Sequence, residues 1–156
     1  MRCAGSIAGL LTALTLLAGC GGNGPPTKEE YIEQAAPILK LFAQDLARLV
    51  PGIRQAPNPV LADARIVYLR NRTANSADAL EGVEAPAEIR PEHRDLVAAI
   101  RQVSRLIGSF ERKPGGERPR KLATLQVQLQ QSRAGKALRA AVAAFDAKGY
   151  DLTSRP

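Results

Sequence analysis

The chain has 156 residues, with 22 lysines and arginines, 15 aspartates and glutamates, and a formal net charge of +7. This length suits one domain with its own hydrophobic core. A single histidine excludes any metal centre that needs two or three imidazole ligands from one chain. The Cys-x-x-Cys-His motif for haem attachment is absent as well. The sequence therefore predicts neither a bound metal nor a cofactor.

The N-terminus has the pattern of a secretory signal. Met1 and Arg2 supply a short positive region, and residues 4–18 form an apolar stretch. About 15 residues, at a rise of 1.5 Å each, span roughly 22 Å, which is less than the ~30 Å of a bilayer core. The stretch therefore favours a signal that is removed over a permanent membrane helix.

The stretch ends in Leu17-Ala18-Gly19-Cys20. This order resembles the lipobox of bacterial lipoproteins, in which the cysteine thiol takes a diacylglyceryl group and becomes the first residue after cleavage. The resemblance implies a signal peptide over residues 1–19, a lipid on Cys20 and an extracytoplasmic location at the cell membrane. An ordinary secretory signal followed by a chance cysteine is the alternative.

A short tether is expected between the lipid and the folded domain. Residues 20–26 comprise the lipidated cysteine and a Gly/Pro segment that reaches only ~20 Å when extended. Cys3 lies in the signal and Cys20 carries the lipid, so no disulfide is available to the domain. We expect a domain over residues 27–150 held by its hydrophobic core, a tail over residues 151–156, and a protein that fractionates with membrane.

The first predicted helix begins after Thr27. Thr27 and Glu30 have the spacing of a capping box, in which each side chain satisfies a free backbone N–H group at the helix start. Apolar residues then recur at alternating intervals of three and four, which places them on one face: Ile32, Ala35, Leu39, Phe42, Leu46 and Leu49. Because this phase continues across Pro37, we expect one kinked helix that ends at Val50-Pro51-Gly52.

Two further helices are expected after turn-rich connections. Residues 51–59 lead to a second helix from about Val60 to Glu81, whose apolar face is weaker: Ala62, Ile66, Leu69, Thr73 and Leu80. After residues 82–87, Pro91 suits the first turn of a third helix. The apolar face of this helix is strong: His93, Leu96, Ile100, Val103, Ile107 and Phe110. The matching faces of the first and third helices indicate helix-on-helix packing.

The last helix is expected from about Arg120 to Lys148. Residues 125–130 alternate apolar and polar side chains, which is also a strand pattern. A strand here would lack a partner and its flanks are helix formers, so we favour a helix. Gly135 predicts either a bend or a slim surface that a neighbour approaches closely. Gly149 suits the residue that ends a helix in a glycine C-cap motif, and Tyr150 is available for the hydrophobic contact that accompanies this motif.

Four helical segments joined by short Pro/Gly connections predict an all-α fold, an up-down-up-down four-helix bundle. The lipobox, the tether, TKEEYIEQAAPI at 27–38 and APAEIRPEHRDLVAAI at 85–100 are together similar to small helical lipoproteins of high-GC Gram-positive bacteria. That group has no established common activity, so the resemblance implies class and location only.

Positive charge concentrates near the third connection, residues 111–119. Residues 113–156 carry nine basic and three acidic residues, whereas the rest nearly balances. We name the densest group the basic tip: Arg112, Lys113, Arg118, Arg120 and Lys121. Alternating helices would place it roughly 30 Å from the lipid, several Debye lengths away, which argues against membrane contact. An anionic wall polymer or an acidic protein surface is the expected partner, and a solvated charge run is the alternative.

Catalysis is not expected from this sequence. His93 and Asp95 are two residues apart on one helix and cannot face each other, so a Ser-His-Asp arrangement is not indicated. His93 is expected to lie partly buried at one end of the helix seam. Glu88, Glu92 and Asp95 could act as acids or bases only if a cleft concentrated them. Location and few aromatic residues disfavour nucleic acid as a partner.

The function predicted from the sequence is that of an anchored, non-catalytic binding or scaffold module. The alternative is a carrier for a small apolar ligand. An amphipathic bundle can open to hold such a molecule, and the last helix, rich in alanine and glycine, would leave room for it.

Overall fold

The computed structural model describes residues 24–112 and 120–152. The predicted signal peptide, Cys20 with the start of its tether, and most of the predicted tail lie outside these residues. Every regular element of the described residues is a helix, which confirms the all-α class. Residues 125–130, for which a strand was the alternative, are helical.

The first helix, α1, spans Lys28–Arg54. Its start confirms the predicted capping box: the Glu30 backbone N–H donates to the Thr27 hydroxyl at 3.2 Å, and the Thr27 N–H donates to the Glu30 carboxylate at 2.8 Å. One helix continues through Pro37, as expected. The predicted end at residues 50–52 is wrong, because α1 also continues through Pro51. The extra turn buries Ile53, which is only 1% exposed, and this burial offsets the backbone hydrogen bond that Pro51 cannot donate.

The second helix, α2, spans Pro59–Glu81, close to its predicted bounds. The Asn58 side chain caps it by accepting from the Leu61 N–H at 2.9 Å, and Pro59 occupies the first turn, where its missing N–H costs nothing. The predicted weak apolar face is confirmed as buried: Ala62, Ile66, Leu69, Thr73 and Leu80.

The third helix, α3, spans Arg90–Gly108 and follows a 3₁₀ turn at Ala87–Ile89. Pro91 lies in its first turn, as predicted. All members of the predicted apolar face are buried: His93, Leu96, Ile100, Val103, Ile107 and Phe110. Phe110 itself lies beyond the end of the helix but continues the same face into the core.

The predicted single helix from Arg120 to Lys148 is wrong. A 3₁₀ turn at Leu122–Thr124 leads into α4, Leu125–Gln131, and α5 spans Arg133–Ala147. Ser132 separates α4 from α5 in an extended conformation, and its hydroxyl accepts from the Gly135 N–H at 3.2 Å to cap α5.

Gly135 is the residue that this break requires. A Cβ atom built there would lie 1.9 Å from the Leu129 carbonyl oxygen, so the start of α5 packs directly on the backbone of α4. Of the two roles that the sequence offered, the close approach is the one observed. The end of α5 confirms the predicted stop: Gly149 has φ +75°, and the Tyr150 N–H donates to the Phe145 carbonyl at 2.9 Å.

The helices pack around one core. Helix α2 lies against both α1 and α3, α5 lies against α3, and α4 contacts α5. The largest side chains with no more than 1% exposure come from every one of these helices, including Tyr31, Ile66, Leu96, Leu125 and Phe145.

Gly135→Ala should destabilise the domain, because the new methyl group requires a shift of the Leu129 backbone. We expect a loss of about 1–3 kcal/mol in the free energy of unfolding, the usual range for overpacking. Gly52→Ala is the matched control: its Cβ meets only the Arg65 guanidinium at 3.6 Å, an ordinary contact. Chemical denaturation checks both variants, and equal stability of Gly135→Ala and wild type would contradict the close packing of α4 and α5.

Candidate functional site

The basic tip is described at three of its five residues. Arg112 follows α3, and its Nε lies 3.3 Å from an Asp63 carboxylate oxygen in the first turns of α2. Arg120 places its guanidinium 5.9 Å from the centre of the Phe110 ring, within the range of a cation–π contact. Lys121 is exposed. Lys113 and Arg118 lie outside the described residues.

Two side-chain contacts join helix ends near the described residues of the basic tip. Arg112, which follows α3, pairs with Asp63 near the start of α2. The Arg54 guanidinium at the end of α1 donates to the Gln126 side chain of α4 at 2.8 Å. The described residues of the basic tip therefore lie close in the chain to contacts between α2 and the end of α3, and between the end of α1 and α4.

An aromatic cluster joins the other helix ends: Tyr31, His93, Phe145 and Tyr150. The rings of Tyr31 and Phe145 are parallel within 2°, with centroids 5.9 Å apart. Tyr150 meets Tyr31 edge-on at 5.9 Å, and Lys28 lies 5.2 Å from the centre of the Tyr150 ring. Because Tyr31 is fully buried among these groups, burial raises the pKa of its hydroxyl.

His93 belongs to this cluster and is 7% exposed, in agreement with its expected burial at the helix seam. Its Nδ1 lies 3.0 Å from the Tyr31 hydroxyl oxygen. Burial lowers the pKa of His93 below its usual 6.5, and the nearby Glu81 carboxylate opposes this shift. The imidazole is therefore neutral at pH 7 and acts as a hydrogen-bonding group of the core.

Glu88 and Glu92, two candidate acids or bases from the sequence, instead bind residues that follow α5. Tyr150 donates its hydroxyl proton to Glu88 at 2.6 Å, and the Lys148 ammonium lies 2.7 Å from Glu92. These hydrogen bonds lower the pKa of both carboxyl groups, so both are charged at neutral pH. Asp95 is exposed. No group of three acidic, histidine or cysteine residues able to hold a metal occurs in 24–112 and 120–152.

A partly buried ion pair that the sequence does not predict joins α1 and α2. Asp45 is 5% exposed, and its carboxylate accepts from Arg72 Nε at 2.8 Å. This pair raises the pKa of Arg72. Asp45 lies beside the apolar face of α1, where a periodicity search treats a polar residue as surface. The only available signal was its position, three residues beyond the buried Phe42.

Several grooves cross the described surface, and three of them lie between neighbouring helices. The groove between α1 and α2 has a volume of about 630 Å³ and includes Leu41, Tyr68 and Arg72. A groove of about 330 Å³ lies between α2 and α3 and includes His93 and three arginines of α3. The third, of about 290 Å³, lies between α1 and α4 and is lined mainly by apolar groups, among them Leu46, Val50 and Leu129. None of these grooves is predicted by a pattern in the sequence.

Comparison with known proteins returns no match for this chain among family models, curated proteins or solved structures. Within the described residues, the helices are all too short or too polar to cross a bilayer. The geometry of the chain itself is thus the basis for any functional assignment.

Between pH 7 and pH 5, the free energy of unfolding should depend on the protonation of His93. Its pKa is lowered in the folded protein, so the unfolded chain binds the proton first as the pH falls through 6.5, and stability decreases. The loss is at most about 1.4 kcal/mol per pH unit for one group. Glu88 and Glu92 act in a separate window, because their stabilisation is lost only as the pH falls below their usual value of 4.5.

Urea denaturation at pH 7.0 and 5.2 measures this effect, with His93→Gln as the variant that lacks the titrating group. We expect the wild type to lose more stability than His93→Gln over this interval. Because the chain has one histidine, its ring proton signal in NMR gives the pKa directly. A folded-state pKa above 6.5, or equal losses in the two proteins, would contradict the assignment.

Proposed function

We propose that the chain is a lipid-anchored, extracytoplasmic binding module without catalytic activity, and that its basic tip engages an anionic partner of the cell envelope. The proposed anchor is a diacylglyceryl group on Cys20, exposed by removal of residues 1–19. Its support is the Leu17-Ala18-Gly19-Cys20 order at the end of the apolar stretch. The proposed partner is a polyanionic wall polymer or an acidic protein surface.

The proposed arrangement of the domain is an up-down-up-down bundle in which α4 and α5 together occupy the fourth position. Its support is the pairing of helix ends. Tyr31, near the start of α1, contacts His93 near the start of α3 and Phe145 near the end of α5. At the other end, Arg112 after α3 pairs with Asp63 early in α2. Each helix would then run opposite to the one before it.

This arrangement separates the basic tip from the anchor. The 27 residues of α1 rise about 40 Å at 1.5 Å per residue. A tether that ends at Thr27 places the lipid near Tyr31, so the tip would lie near the opposite end of α1. A tip at that distance is positioned to reach outward into the envelope.

The observation that carries the proposed function is the unneutralised charge at Arg120 and Lys121. Both side chains are exposed, and neither forms an ion pair with any residue in the described part of the chain. Individual exposed ion pairs are worth only about 0–1 kcal/mol. Several cations on one surface, however, attract a multivalent anion over about a Debye length, so binding should depend strongly on salt.

Charge reversal tests the tip. The triple variant Arg118→Glu, Arg120→Glu, Lys121→Glu should lose salt-sensitive retention on isolated cell walls, measured by co-sedimentation of purified protein in neutral detergent. The control reverses three exposed cations of α5, Arg133, Lys136 and Arg139, and so changes the net charge equally. Retention that is insensitive to salt and unchanged in the tip variant would refute the proposal.

The carrier function remains a second candidate because of one observation, the apolar groove between α1 and α4. Core side chains such as Leu69 and Ile100 are fully buried, so an apolar ligand would bind in this groove and not between opened helices. An apolar molecule retained by the protein lacking its lipid, detected in native mass spectra, would favour this candidate over the tip.

A further inference from the structure

A row of arginines lies in the groove between α2 and α3. Arg94, Arg101 and Arg105 follow one another at intervals of seven and four residues, which places them on one face of α3. Glu81 of α2 lines the same groove, together with the apolar residues Val97 and Ala98 of α3.

The three guanidinium groups differ in their partners. Arg101 is held by α2, at 2.6 Å from Glu81 and 3.0 Å from Asp78. The guanidinium groups of Arg94 and Arg105 form no ion pair or hydrogen bond with any residue of 24–112 and 120–152. Arg94 and Arg105, whose guanidinium groups have no partner among the described residues, therefore flank Arg101, whose orientation is fixed by α2.

His93 adds a directed hydrogen-bond donor to the same groove. The Tyr31 hydroxyl is buried, and its proton needs an acceptor, which His93 Nδ1 supplies at 3.0 Å. The neutral imidazole then carries its own proton on Nε2. His93 is more than nine-tenths buried, lines the groove, and makes no second hydrogen bond in the described structure.

We infer that this groove binds a phosphate group, as a free phosphate ester or as the headgroup of an anionic phospholipid. Guanidinium groups donate paired hydrogen bonds to phosphate oxygens, and the His93 N–H group adds one more donor to the same lining, which suits a phosphate better than a carboxylate because phosphate has more oxygen acceptors. The volume of about 330 Å³ lies at the small end of the range for ligand sites, so it suits a headgroup or a small ester.

The position of the groove allows either source. His93 contacts Tyr31, which lies four residues after the helix cap at Thr27, so one end of the groove is close to the start of α1. An anchor on Cys20 would bring that end near the lipid headgroups. The groove shares no residue with the basic tip, so the inference stands whether or not the tip binds a partner. Only the lipid source rests on the proposed anchor.

Titration of the full-length protein in neutral detergent tests the site. The probes are inorganic phosphate, glycerol phosphate, and phosphatidylglycerol mixed into the micelles, each at constant ionic strength. The His93 ring signal and the side-chain Nε–H signals of the groove arginines are followed by NMR. We expect saturable shifts that weaken about tenfold or more in the double variant Arg94→Gln, Arg105→Gln. The double variant Arg133→Gln, Lys136→Gln removes the same charge from α5 and should bind like wild type.

Saturation by the two soluble probes alone identifies a free phosphate ester as the ligand. Saturation by phosphatidylglycerol at lower concentration identifies the headgroup. Shifts that never saturate, or that weaken equally in the groove variant and in the α5 control, would overturn the inference by showing general charge attraction only. Loss of wall retention in the tip variant, with these titrations unchanged, would separate the two proposals.

Discussion

The packing of Tyr31 is the interaction on which the rest of the structure depends. Helix α1 lies mainly against α2, yet Tyr31 places a fully buried ring against His93 of α3, Phe145 of α5 and Tyr150 after it. Each aromatic pair contributes about 0.5–1.5 kcal/mol beyond the burial of its surface. This one side chain therefore ties the start of the domain to its third helix and to its C-terminal end.

Both functional proposals take their geometry from this contact. It keeps the start of α1 beside the start of α3, so a lipid on the preceding tether and the arginine groove would share one end of the domain. Arg112 of the basic tip pairs with Asp63 of α2 just after α3 ends. One end would then face the headgroups and the other the envelope, and two anionic partners could bind without competing for the same cations.

Much of the fold is predictable from local patterns. The capping box at Thr27, the apolar face of α3 and the glycine stop after α5 each depend on a few neighbouring residues, and the structure confirms them. The errors arise where packing outweighs the pattern of apolar residues and helix breakers. Burial of Ile53 extends α1 past Pro51, and the contact of Gly135 with the Leu129 carbonyl breaks the last helix in two.

The candidate sites also divide into one that follows from neighbouring residues in the sequence and one that only the folded structure brings together. Clustering in the sequence predicted the basic tip, because its residues are neighbours along the chain. It could not predict the groove of Arg94, Arg101 and Arg105, since counting charges by segment cancels these arginines against acidic residues elsewhere. Only the structure shows that Glu81 and Asp78 both bind Arg101 and that the other two arginines have no such partner among the residues it describes.

The most direct test of the role of Tyr31 is a double-mutant cycle with Phe145. Unfolding free energies are measured for Tyr31→Leu, Phe145→Leu and the double variant, and again for the pair Tyr31→Leu and Ile53→Ala, which lie in the first and last turns of α1. Stacking across the two helices predicts a coupling of about 0.5–1.5 kcal/mol for the first pair and near-additive losses for the second. Additive losses for Tyr31 and Phe145 would contradict a domain closed by this contact.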